Sequence, residues 1–238
     1  MCVITISHER HPTSEEIEKM GSANPDGIGI LWSNKKSKTN EWIKGLTTKQ
    51  AINFYKKNSD ILPIGSTISH YRLASVGRGH DKTLNHPFVI DEHATNKLKG
   101  LTKKSLLVHN GHWSDWSNLM LTLPSIPKGS FSDTRCIALL INSSKNKASY
   151  FGSQKLAILN NLKIDTYGEF EEYKGLICSN THWNKSNSYF LSNPLNNQSG
   201  DYRRQTTLAN KRKSEADIID ETDELIYGRY GKDYISGW

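Results

Sequence analysis

Cys2 stands directly behind the initiator methionine, and that address gives its thiol an option open to neither of the other cysteines, Cys136 and Cys178. A thiol with a pKa of about 8.5 is mostly protonated at neutral pH and needs a base before it can attack. If Met1 is removed, Cys2 carries a free α-amine of pKa about 7.7–8.0 on its own Cα. That amine can take the thiol proton directly or through one water. Three further residues complete a chemical set. Arg72 lies within the β-like run STISHYRLAS, where a guanidinium calls for an anionic partner, and a substrate carboxylate matches its fork bidentately. Asn110–Gly111 closes the apolar run SLLVHNG; besides its turn propensity, the pair offers an amide side chain and an unhindered backbone N–H toward one point, as an oxyanion hole requires. Asp133 sits at the start of a helical pattern, where a carboxylate can hold a substrate ammonium or simply favour the helix dipole. Nucleophile, oxyanion donors, carboxylate binder and ammonium binder together describe a site for an α-amino acid whose side-chain carbonyl is attacked. Glutamine fits best.

The elements that must position these residues are legible in outline. VITIS (3–7), GIGILW (27–32), STISHYRLAS (66–75), HPFVI (86–90) and SLLVHNG (105–111) read as strands. ASYFG, KLAIL and GLICSN read as a second set. TSEEIEKM begins with a hydroxyl residue followed by acids, a helix start. Thr47 with Gln50 three residues on is a capping-box pattern, and Ser132 is an N-cap candidate before the apolar stripe of DTRCIALLI. Strands dominate, with helices inserted in blocks rather than in strict alternation, which predicts an α+β layered fold and not a doubly wound parallel sheet. From about residue 194 the composition turns polar and rich in Gly and Asn, so the compact domain is expected over 1–193, with 194–238 a polar linker and a C-terminal tail or helix.

In order along the chain, MCVI (1–4), NPDGIGI (24–30), HYRLASVG (70–77), NHPF (85–88), LVHNG (107–111) and SDT (132–134) resemble the class II glutamine amidotransferases, a family of N-terminal-nucleophile hydrolases, in their short stand-alone form. The resemblance covers about residues 1–193. It implies a four-layer αββα sandwich of two mainly antiparallel sheets. It also implies Cys2 as nucleophile and base, Arg72 on the glutamine α-carboxylate, Asp133 on the α-amino group, and Asn110 with Gly111 as the oxyanion hole. Asp26, His70 and His86 fall in matching motifs and are read as supporting or structural. The chain departs from the family pattern at Val3, where glycine is usual, and at Leu73 and Val76, where tryptophan and histidine are usual. The resemblance implies hydrolysis of L-glutamine to glutamate and ammonia through a Cys2 thioester, with the ammonia passed to a separate synthase. Two other readings stay open: a related hydrolase of another γ-glutamyl or peptide amide, and a non-catalytic binding protein on the same fold.

Bulk properties bound the remaining classes. The chain has 238 residues, 35% of them hydrophobic, with a formal charge of +7. Its mean hydropathy is −0.63. No run approaches the roughly 18 apolar residues of a membrane span, and no basic segment followed by an apolar stretch opens the chain, so a cytoplasmic protein is expected. Three cysteines without a CxxC exclude a disulfide framework and a four-cysteine zinc site; Cys136 and Cys178 read as core residues. His8, His11, His109 and His112 lack the spacing of a metal site, so neither metal nor cofactor is expected. The basic cluster at 202–213 reads as a solvated tail rather than a nucleic-acid site. Trp113 and Trp116 flank the Asn-Gly pair and are candidate pocket walls.

Overall fold

Cys2 is held because the strand that follows it is interior to a sheet. In the computed structural model, which describes residues 2–74, 80–143, 147–151 and 154–184, β1 (Val3–Ser7) is buried at all five positions. Its neighbours are β4 (Thr67–Tyr71) and β11 (Leu176–Cys178), both antiparallel to it. The sheet is completed by β2 (Ile28–Asn34), β3 (Thr39–Leu46), β6 (Lys99–Thr102) and β10 (Glu171–Tyr173), in the order β10-β11-β1-β4-β2-β3-β6. A second antiparallel sheet runs β5-β7-β8-β9, formed by Phe88–Val89, Leu106–Asn110, Lys155–Asn160 and Lys163–Tyr167.

Side-chain alternation along β7 shows how the layers stack. Leu106 and Val108 point into the core between the sheets, with Ile4, Ile6, Leu31 and Ile68 opposite. Leu107 points the other way, into a core with Cys136, Ile137 and Leu140. Those three belong to α4 (Asp133–Asn142), which covers the second sheet together with the short α3 (Trp116–Met120). On the far side, α1 (Ser14–Ala23) packs on α2 (Thr48–Asn58), and α2 on β2 and β3; the Phe54 and Trp32 rings meet at 5.4 Å. The architecture is therefore an α+β sandwich layered helix, sheet, sheet, helix. Thr13 and Thr47 each close a full capping box, with Glu16 and Gln50, and Ser132 accepts from the Arg135 N–H. Caps of this kind contribute about 1 kcal/mol each. Cys136 and Cys178 are fully buried.

Several local expectations are corrected. The strand expected over 66–75 ends at Tyr71, leaving Arg72 just beyond it. Arg72 still donates its N–H to the Gly27 carbonyl, but the Ala74 N–H goes to the Asp26 carboxylate instead of a neighbouring strand. ASYF forms a 3₁₀ turn (Ala148–Phe151) rather than a strand, its two buried residues lying three apart instead of two. HPFVI contributes only Phe88–Val89. The strands β3, β6, β9 and β10 add to the expected set. The boundary expected near 193 and the segment 194–238 lie outside the described residues, as does Val76. Among the described residues no helix is long and apolar enough to cross a membrane.

Candidate active site

A cavity of about 350 Å³ opens at the ends of the interior strands β1, β4 and β7, and Cys2, Arg72, Gly111 and Asp133 all line it. Each arrives on a different element: before β1, after β4, after β7, and at the first position of α4. Trp116 and Phe131, nearly parallel with ring centroids 6.3 Å apart, form one wall. Trp113 instead packs edge-on against Phe151 at 5.0 Å.

Cys2 is half-buried, and among the described residues its thiol hydrogen-bonds only with the backbone of Leu73: the Leu73 N–H donates to Sγ at 3.3 Å and Sγ–H donates to the Leu73 carbonyl at 3.5 Å. Burial pushes the thiol pKa up; the Leu73 N–H and the charge of Arg72 pull it down, and Asp133 adds to the rise. The net direction is upward, so the resting group is a thiol. The residue's carbonyl is held by Asn180 Nδ2 at 2.9 Å, and Ser179 Oγ accepts the Ile4 N–H at 2.9 Å.

Arg72 is 8% exposed and donates from Nη1 to the Asp81 carbonyl at 3.3 Å. Burial lowers its pKa, while Asp26, Cys2, Asp81 and Asp133 oppose the shift. Asp26 holds the segment after Arg72 through the Ala74 N–H at 2.8 Å. The turn that brings Asp26 there needs glycine next, because Gly27 has φ +119° and a Cβ would meet the Asn85 side chain.

Asn110 ends β7 and is buried, and the chain after it does not form a hairpin: β7 pairs with β5 and β8. Gly111 is confined by close approach, since a Cβ there would run into Gln154 Oε1 and lie 2.8 Å from His109 Nε2. His109 in turn joins Thr134 Oγ1 at 3.0 Å and Gln154 Oε1 at 3.1 Å. The Asp133 carboxylate accepts from the Thr134 N–H at 2.7 Å and the Trp113 N–H at 3.2 Å, and His109 Nδ1 stands 3.9 Å from it. It is thus anchored while still facing the cavity.

His86 lines the cavity; the His70 ring lies against it, tilted by 34° with centroids 3.9 Å apart, without lining the cavity. Burial lowers the pKa of His70 to about 3, that of His86 well below its ordinary value, and that of His109 in the same direction. All three are therefore held toward the neutral form and bring no charge to the cavity. His11 is tied to Ser7 and the Leu62 carbonyl. Among the described residues no group of three His, Cys, Asp or Glu is placed to hold a metal ion. Sequence reasoning did not identify His109, Gln154, Ser179 or Asn180 as parts of the site. Ser179 and Asn180 carry one weak signal, two polar residues directly after a short apolar strand.

No family model matches the chain, and no curated protein matches it in sequence. Among solved structures it is similar to the glutamine phosphoribosylpyrophosphate (PRPP) amidotransferase from B. subtilis complexed with ADP and GMP, at 17% identity and a TM-score of 0.47. The match covers 75% of this chain and 41% of that one, so the chain corresponds to less than half of the neighbour's length.

Proposed function

We propose that this protein hydrolyses L-glutamine to glutamate and ammonia through a γ-glutamyl thioester on Cys2, and that the ammonia is used by a separate synthase. The observation that carries the reading is the meeting of Cys2, Arg72, Gly111 and Asp133 around one cavity. Arg72 takes the α-carboxylate and Asp133 the α-ammonium, which aims the side-chain amide at Sγ. Once Met1 is removed, the α-amine of Cys2 accepts the thiol proton as sulfur attacks the amide carbon. The absence of a histidine among the described hydrogen-bond partners of the thiol favours this base. The carbonyl oxygen becomes an oxyanion received by the Gly111 N–H and the Asn110 carboxamide. Collapse breaks the C–N bond, and the α-ammonium returns the proton to the leaving ammonia. Water then cleaves the thioester to glutamate and the free thiol, with the same amine removing its proton.

The test uses the full chain with Met1 loss verified by intact mass. Glutamate release and labelling of Cys2 by a diazoketone analogue of glutamine are expected, and Cys2→Ala should lose both while keeping its circular dichroism. A Met1-free protein that neither releases glutamate nor is labelled sinks the proposal.

A further inference from the structure

The geometry points to Ser179 as a positioning residue that decides which end of the Asn110 carboxamide is offered to the oxyanion. The Ser179 hydroxyl oxygen meets two buried nitrogens, the backbone N–H of Ile4 at 2.9 Å and Asn110 Nδ2 at 2.9 Å. A hydroxyl has one proton and two lone pairs. With Nδ2 donating, both lone pairs are filled and the serine proton has no acceptor among the described residues. Asn110 Oδ1 is meanwhile buried without a partner. Two polar groups are left unmade, and each is costly in a buried setting.

A half-turn of the carboxamide about its last torsion barely alters its shape and reduces that count to one. Oδ1 then accepts the Ser179 O–H, Ile4 keeps its lone pair, and Nδ2 takes the place of the orphaned oxygen. The single group left over is now a donor; it lies behind the cavity wall, on the residue before Gly111, which lines the cavity while Asn110 itself does not. The Ile4 N–H makes this arrangement directional, because it occupies a lone pair of the hydroxyl and leaves its proton to be donated. One serine thereby joins the strand that carries the nucleophile to the amide that serves the oxyanion. What Nδ2 binds rests on the glutaminase reading; its orientation does not.

Two measurements test this. In steady-state kinetics with glutamine, Ser179→Ala should lower kcat by about tenfold to a hundredfold, below the ceiling for loss of one oxyanion donor, with KM nearly unchanged. Ser179→Thr keeps the hydroxyl and should recover most of the loss. In an Asn110→Ala background, Ser179→Ala should cost little more. An equal loss in both backgrounds, or no loss in either, overturns the inference, because the serine would then act only through Ile4 or not at all. The second measurement needs no turnover. In the assigned NMR spectrum of the wild-type chain, cross-relaxation from the Asn110 Hδ2 protons to Ser179 Hβ should be weak or absent; a strong cross-peak places nitrogen against the serine and overturns the inference. A wild-type protein without turnover or Cys2 labelling defeats the glutaminase reading alone, and the cross-peak still decides the orientation.

Discussion

Replacing Gly111 with alanine isolates the packing beneath the proposed oxyanion site. Its φ lies outside the left-handed region, so alanine brings no backbone strain and the penalty is one of space. The added methyl meets Gln154 Oε1 first and His109 Nε2 second, at 2.8 Å. His109 cannot retreat, because it belongs to β7 and its ring is held by Thr134 at 3.0 Å. Gln154 can swing away, but only by giving up its 3.1 Å bond to His109. Overpacking costs about 1–3 kcal/mol, and the lost hydrogen bond about 0.5–1.5 kcal/mol. The sum, about 1.5–4.5 kcal/mol, is a large share of a typical stability of roughly 5–15 kcal/mol. At about 2–4 °C per kcal/mol for a chain of this size, Tm should fall by about 3–18 °C. The assay is urea denaturation of the wild type, Gly111→Ala, Gln154→Ala and the double variant. Removing the glutamine side chain takes away the nearer obstacle, so the alanine penalty should shrink to about 1 kcal/mol, the remainder reflecting His109. Equal penalties in both backgrounds, or none in either, would refute the close approach of Gln154 to Gly111.

Arg72→Lys should raise KM for glutamine by about ten- to a hundredfold with a smaller change in kcat, since an ammonium cannot reproduce a bidentate fork; initial-rate kinetics over a glutamine series checks this. Arg135→Met should destabilise the fold by about 3–5 kcal/mol, because it removes four charge-assisted bonds, to the carbonyls of Ala94, Ser130, His93 and Lys128, and chemical denaturation measures it. Stability should fall as pH drops below about 6.5, by about 1.4 kcal/mol per pH unit for each histidine that the unfolded chain protonates and the folded one does not. His70, His86 and His109 all have folded pKa values below the unfolded one, so the loss begins near 6.5 and for His70 continues toward about 3. Denaturation midpoints that stay flat between pH 7 and 5 contradict that prediction.

What could be read before folding was whatever local chemistry decides. Thr47 with Gln50 and Ser132 with its apolar stripe announce helix starts because a cap is satisfied within a few residues of itself. The strand β1, VITIS, is apolar at three of its five positions and β-branched at four, and reads as β from composition alone. β3 was illegible because it is buried at all eight positions yet spelled TNEWIKGL; its polar groups are paired across the fold, as Asn40 is with the Lys104 and Leu159 carbonyls. Arg135 hid in the same way, a fully buried side chain inside an apolar helix whose partners lie on a distant loop, at His93 and Ala94, and on the segment just before the helix, at Lys128 and Ser130. Within the site, Cys2 and Arg72 were nameable because each is an unusual residue type for its address, and Gly111 and Asp133 because they complete a chemical set with them. Ser179 and Asn180 were not, since a serine and an asparagine after a strand look like any loop; their roles arise from partners 175 and 178 residues away.

Those separations set an order of events during synthesis. The strand behind Cys2 borders β4 on one side, but its other border, β11, is among the last of the described elements to be translated. At about 5–20 residues per second, the roughly 110 residues from the end of β4 to Ser179 take about 5–22 seconds, during which β1 has only one of its two neighbours. Until then β1 has one open side. Under the proposed mechanism, which requires loss of Met1, that cleavage can come before the cavity around Cys2 is complete.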